Sequence, residues 1–252
     1  MRVFFYIIIA VFSLVEPSYS STRGDVKIIE ATENIQYLSQ KIATDYFSFY
    51  NKPEDILLRN QLHKNIDNLQ FFISDISDTT NNVRTKDLLD YFIYRIEYIK
   101  RLPNQKINET NARAILQYSE GFLEGAKTIA MWHKYDFSIE EKMLMTSKEI
   151  QYLVERATKY YMAFQVGLNS ENNYEQMKKA IVEIDRHLDE LDLYHYPHDT
   201  EKKLEKIIRI WKVNKIFLAK VKEFSIPYIL LDSTAYMEQI LKDIEQYHKK
   251  NL

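Results

Sequence analysis

The chain has 252 residues, 34 Lys and Arg against 36 Asp and Glu, a formal charge of −2, and 0 Cys. Charge mixed so evenly offers no basic face to a nucleic acid, and the lack of Cys excludes disulfides, thiol catalysis, c-type haem attachment and Cys-bound zinc. With only 4 Gly and 5 Pro, strand and turn signals are sparse, and the expectation is an all-α protein.

In chain order, Arg2 and the apolar run Val3–Val15 read as a secretory signal peptide. Ser18 and Ser20 stand at the small-residue positions for cleavage before Ser21. The run is too short for a comfortable membrane span, and no later segment is apolar enough for one. The expected product is therefore exported, periplasmic or secreted, with no stable membrane span after signal cleavage.

The first mature helix is expected over Val26–Tyr50, with Ile28, Ala31, Ile35, Leu38, Ile42, Tyr46 and Phe49 forming the stripe that a bundle helix buries. Pro53 stops it and suits the first turn of a second helix, carrying Leu58, Leu62, Ile66, Leu69, Ile73 and Ile76. A third runs near Thr85–Arg101, with Leu88, Leu89, Phe92, Ile96 and Ile99. A fourth starts near Glu109, where Gly121 and Gly125 let a neighbouring helix approach closely at a cost of about 1 kcal/mol each in helix propensity. Ser138 and Glu141 form a capping box that opens a fifth helix and sets a boundary near Phe137.

From there the chain repeats itself. Ile35-Gln36-Tyr37-Leu38 returns 115 positions later as Ile150-Gln151-Tyr152-Leu153, and Tyr46 and Phe49 fall on Tyr161 and Phe164. Fixed-period similarity of this kind marks one structural unit used twice. Gly167 and Ser170 end the fifth helix and cap the sixth. Met177–Leu191 and Leu204–Trp211 then replay the second and third helices. For the last helix a one-residue register change pairs Ile229, Ser233 and Tyr236 with Ile115, Ser119 and Phe122. The expected architecture is all-α, two tandem antiparallel four-helix bundle units spanning 21–137 and 138–252 after a signal peptide at 1–20.

Chemistry-bearing groups are few. Asp192, His195, His198 and Asp199 share one loop, which reads as polar and buttressed by Tyr194 and Tyr196 rather than as a metal site. Glu245 and His248 have the spacing of a di-iron motif but only one copy of it. No Gly-rich phosphate loop or nucleophile elbow is present, so no enzyme, cofactor or metal is expected. The candidate ligand-binding residues are the polar flank of the repeated helix: Gln36, Ser39, Gln40 and Lys41, with Gln151, Glu155 and Arg156 in the second copy. Such residues either hydrogen-bond a small ligand between two helices or face a partner helix and water.

The segment Asn34-Ile35-Gln36-Tyr37-Leu38-Ser39-Gln40-Lys41-Ile42-Ala43 resembles the opening helix of the N-terminal domain of type IV pili methyl-accepting chemotaxis transducers, the PilJ type, related to NarX-type nitrate/nitrite sensor domains. Leu38-Ser39-Gln40 and Ala43 match the family segment, Lys41 replaces an Arg, and Trp211 suits a Trp of a later helix. Gln36 and Gln151 stand where the family's anion-contacting Arg falls, and Glu33 where it has Gly, so nitrate binding is not carried over. The resemblance implies an exported sensory bundle for an unidentified small ligand, without its own transmembrane and signalling parts and dependent on a membrane-bound signalling protein. It also implies pairing of the two first helices within one chain if the chain turns sharply at Phe137-Ser138, or end-to-end stacking if it does not. The rival expectation is an interaction or scaffold protein, with Tyr91, Tyr94 and Tyr98 of the third helix as the exposed aromatic face.

Overall fold

Apolar residues recurring every third and fourth position leave each segment one face to bury, and these faces pack on one another. The computed structural model describes residues 23–223 and 225–252; the expected signal peptide lies outside them. Eight α-helices follow in order: α1 (Arg23–Asn51), α2 (Ile56–Thr79), α3 (Val83–Ile99), α4 (Glu109–Trp132), α5 (Ile139–Gln165), α6 (Glu171–Asp192), α7 (His198–Ala219) and α8 (Pro227–Lys250), with a short 3-10 turn at Leu102–Asn104 between α3 and α4. There is no strand among the described residues.

Their ends are fixed by side chains. Asp55, Asn82, Asn108 and Ser170 each accept backbone N–H bonds at the starts of α2, α3, α4 and α6. Ser138 and Glu141 close the expected capping box at α5. Each such cap stabilises its helix by about 1 kcal/mol. Gly167, with φ of 86°, reverses the chain after α5, where an L side chain would be strained.

α1 packs on α2 and α4, and α3 lies between those two. In the same way α5 packs on α6 and α8, with α7 between them. α1 and α5 also pack on each other. Along α8, Tyr37 and Glu30 of α1 meet Glu238 and Lys249, while Thr158 and Glu140 of α5 meet Thr234 and His248. Both helices thus run antiparallel to α8 and parallel to each other. The helix breaks at Phe137-Ser138, which is what side-by-side packing requires. One apolar core runs through all eight helices, so the α1/α5 seam is interior and not a surface between two separate cores.

The expected register change in α8 is corrected. Leu230, Thr234, Met237 and Leu241 are the buried counterparts of Ile115, Ser119, Phe122 and Ala126, all at an offset of 115. Ile229 and Tyr236 are instead 57% and 45% exposed. The sequence of α8 carries two neighbouring apolar stripes, and burial goes to the one with Leu230, Met237, Leu241 and Ile244. The same offset unites two histidine–carboxylate contacts: His133 Nδ1 to Asp25 at 2.9 Å and His248 Nδ1 to Glu140 at 2.7 Å.

Candidate functional site

At Gln36, Ser39 and Gln40 the polar flank of α1 is buried in protein. Gln36 donates to Glu33 at 2.9 Å, Ser39 donates to the Gln36 carbonyl at 2.8 Å, and Gln40 donates to Ser39 at 2.9 Å and to the Ser119 carbonyl at 3.1 Å. Lys159, completely buried, donates to Gln40 at 2.7 Å, to Ser119 at 3.1 Å and to Glu120. Arg156 donates to Glu120 at 2.5 Å and to Gln176 at 3.1 Å, and Gln151 donates to Glu245. Gln40, Gln151 and Arg156 bond to groups on other helices, whereas Gln36 and Ser39 bond within α1. A buried polar group that finds such partners avoids a desolvation cost of about 1–3 kcal/mol.

Lys41 and Glu155 differ from the rest. Lys41 donates to Glu155 at 2.8 Å, and Asp45 lies 4.0 Å from the same ammonium. Asp45 also accepts from Asn65 at 2.6 Å, and Tyr37 donates to Glu238 at 2.9 Å. Three buried carboxyl groups, Asp45, Glu155 and Glu238, thus surround one lysine. Glu155 Oε2 and Glu238 Oε1 are buried without a hydrogen-bond partner among the described residues, and the two carboxyls are electrostatic neighbours. Burial, and then the neighbouring Glu155, push Glu238 well above the ordinary carboxylate range. Burial opposes ionisation of Glu155 too, but Lys41 and the hydrogen bonds around it hold that carboxyl below its ordinary value. Burial raises Asp45 to about 6, with Glu155 adding to the rise and Lys41 and Asn65 opposing it.

Above this cluster a groove of about 340 Å³ opens between α1 and α8, floored by Lys41 and Asp45. Leu58, Met162 and Leu231 give it apolar walls, and Tyr228, Asp232 and Ala235 of α8 form its outer side. Lys52 sits over the Tyr228 ring at 4.5 Å at the mouth. Such a concave site, apolar with a few converging polar groups, is the ordinary form of a small-molecule pocket.

The offset of 115 places a matching position between α5 and α4, and that position is filled. Tyr160 stands where the first half has Asp45, and Glu120 where α8 has Ala235. There Arg156 and Lys159 converge on Glu120, and the Lys159 ammonium lies 4.3 Å from the centre of the Tyr160 ring. The short Asp45 and the methyl of Ala235 therefore leave open on one side what a phenol ring and an ion cluster occupy on the other. Of the sequence candidates only Lys41 lines the groove. Asp45, Tyr228, Asp232 and Ala235 were missed. The sequence signal was weak: at the offset of 115 Asp45/Tyr160 and Ala235/Glu120 differ in size and charge, but so do pairs such as Thr44/Lys159 and Gln117/Asp232.

Elsewhere, Tyr91 and Tyr94 are 43% and 72% exposed on α3, while Tyr98 is half-buried. Arg95 lies 4.9 Å from the Tyr91 ring centre and 5.0 Å from that of Tyr118. His195 and His198 of the α6–α7 loop are exposed, and Tyr194 and Tyr196 of that loop pack against His248.

These features define an all-α helical bundle with a polar seam and an open groove beside it. Comparison with protein-family models, with curated proteins and with solved structures finds no match.

Proposed function

We propose that this chain is an exported ligand-binding bundle of the sensory kind, similar to PilJ-type domains, and that its ligand site is the groove between α1 and α8. The observation that carries this reading is the inequality of two equivalent positions. Asp45 and Ala235 leave a groove of about 340 Å³ where Tyr160 and Glu120 fill its counterpart. Filling a position to interior density is the favourable outcome for stability, so an open counterpart beside buried charge has the character of a functional site. The parallel seam of α1 and α5 agrees with a sensor that pairs its first helices, and a membrane-bound partner would relay the signal.

The test is a thermal-shift screen of small anions, cations, amino acids and neutral metabolites on the full chain and on Ala235→Leu. Ala235 is exposed, so the larger side chain of the variant fills the groove and leaves the fold intact. A compound that stabilises the parent chain and not the variant supports the reading, and a screen with no compound of that kind defeats it.

A second reading is favoured by the exposed Tyr91, Ile93 and Tyr94 beside Arg95 on α3, an aromatic face larger than a single residue. In that reading the chain is a scaffold binding a protein partner. Capture of one specific partner that is lost in a Tyr91→Ser/Tyr94→Ser variant would support it over the first.

A further inference from the structure

The chemistry of the groove narrows the ligand class, and this inference rests on the reading that the groove is the site. Its inner end holds Asp45 near the ammonium of Lys41, with Glu155 and Glu238 in the same buried cluster, and the groove's second ammonium, Lys52, lies over the Tyr228 ring at 4.5 Å. The Lys41 ammonium is already committed to Glu155 at 2.8 Å. Asp55 is committed as well, as the N-cap of α2 at 2.9 Å from the Leu57 amide and 3.2 Å from that of Leu58. Asp232 lies exposed on the outer side with no hydrogen-bond or ion-pair partner among the described residues. The apolar side chains of Leu58, Met162 and Leu231 line the groove together with the carboxylates of Asp45 and Asp232.

An anion entering this groove would meet the carboxylates of Asp45 and Asp232 and would find Lys41 bound to Glu155 and Lys52 seated over the Tyr228 ring. A neutral polar molecule would leave the surplus charge as it is. A cation with an aliphatic body matches the groove: an ammonium donates to carboxylates, and methylene groups cover apolar walls. We infer that the α1/α8 groove binds a short aliphatic diamine, one ammonium on Asp45 at the inner end and the other on Asp232 at the mouth. The raised proton affinities of Asp45 and Glu238 come first from burial, and the neighbouring Glu155 adds to both, so positive charge beside them is favourable. A bound ammonium supplies the missing positive charge that protons otherwise provide. The filled counterpart shows the alternative solution, where Arg156 and Lys159 both reach Glu120 and the cations are built into the chain.

The test is isothermal titration calorimetry of the full chain with diaminoethane, diaminobutane and diaminohexane, against butanediol and succinate as neutral and anionic controls. At least one diamine should bind in equimolar ratio, and neither control should. Asp45→Asn keeps an oxygen for Asn65 and should weaken diamine binding about tenfold, as loss of a charged hydrogen bond does. Asp232→Asn should weaken it less, because that end is solvated, and Ala235→Leu should abolish it. The inference is overturned if no diamine binds, or if Asp45→Asn and Ala235→Leu leave the binding heat unchanged. It is also overturned if succinate or butanediol binds in an Ala235→Leu-sensitive way, but that result keeps the groove as the site and changes only the ligand class. Loss of the site itself is read separately, from a screen in which nothing depends on Ala235.

Discussion

Two glycines of α4, four residues apart, should respond to the same substitution with opposite signs. A Cβ on Gly125 would lie 2.5 Å from Cζ and 2.6 Å from Cε1 of Phe92, whereas at Gly121 the nearest atom is the Tyr91 hydroxyl at 4.0 Å. Ordinary carbon contacts fall near 3.5–4.0 Å, so the first substitution demands movement of about an ångström. Phe92 has nowhere to move: it is completely buried, and its ring centre is 4.8 Å from that of Phe122. Replacing Gly by Ala inside a helix gains about 1 kcal/mol in propensity, while overpacking a core costs about 1–3 kcal/mol. Gly121→Ala should therefore stabilise by up to about 1 kcal/mol, and Gly125→Ala should destabilise by about 1–2 kcal/mol. For a chain of this size a difference of about 2–3 kcal/mol should separate the two melting points by about 4–12 °C. Urea denaturation followed by circular dichroism, with unchanged slope, measures both. Equal shifts, or stabilisation by Gly125→Ala, would refute the close approach of α3 and α4 at this point.

Glu33 makes stability depend on pH. Burial raises its carboxyl from 4.5 to about 7, with Glu149 adding to the rise and Lys148, Gln36 and Lys127 opposing it. A folded-state value above the unfolded one means that its stabilising effect is complete below about pH 4.5 and lost as pH rises through about 7. Urea midpoints at about pH 5 and about pH 8 should show Glu33→Gln gaining on the parent chain by up to about 3 kcal/mol over that interval, and a pH-independent difference would count against burial of this carboxylate. At the far end of the seam, His248 is completely buried, bonded to Glu140 at 2.7 Å and to the Tyr196 hydroxyl at 2.8 Å, beneath the rings of Tyr194 and Tyr247. His248→Ala should cost about 2–3 kcal/mol and reduce the near-ultraviolet tyrosine signal; a neutral result in both would mean that α8 frays before this residue.

The helices were legible because each carries its own signals. Ile28 through Phe49 mark α1 by spacing alone, and Ser138 with Glu141 fixes the start of α5 to the residue. The register of α8 was not legible. Ile229 and Leu230 are both apolar, as are Tyr236 and Met237, and only packing against α5 and α7 decides which member of each pair is buried. Lys159 was illegible for the opposite reason: a lysine within a helix ordinarily belongs to a solvated face, and its burial depends on acceptors from other helices, Gln40 of α1 and Ser119 and Glu120 of α4 meeting it on α5. The polar flank at Gln36, Ser39 and Gln40 was recognisable as special, but the partners of Gln40 were not, because Ser119 and Lys159 stand on helices distant in sequence. The groove depends on Ala235 and Asp45, unremarkable singly and informative only beside Glu120 and Tyr160.

The seam carries an argument about pairing that apolar residues alone would not supply. Ile35, Ile42 and Ala43 on α1, and Ile150 and Ala157 on α5, would pack passably in several registers. The charges are less tolerant. Slid by one turn, α5 would bring Lys159 toward Lys41, two ammonium groups in a buried seam, and would separate Glu155 from the lysine that offsets it. Like charges in such surroundings are costly, so the polar set discriminates between registers in the way that a polar core position does in a coiled coil. Parallel and in register, α1 and α5 then present equivalent shoulders to α8 and α4. Whether each shoulder is closed or open is set by what stands on it: Tyr160 with Glu120 on one side, Asp45 with Ala235 on the other. The same pairing that makes the halves alike is what places their difference at the groove beside the buried carboxylates.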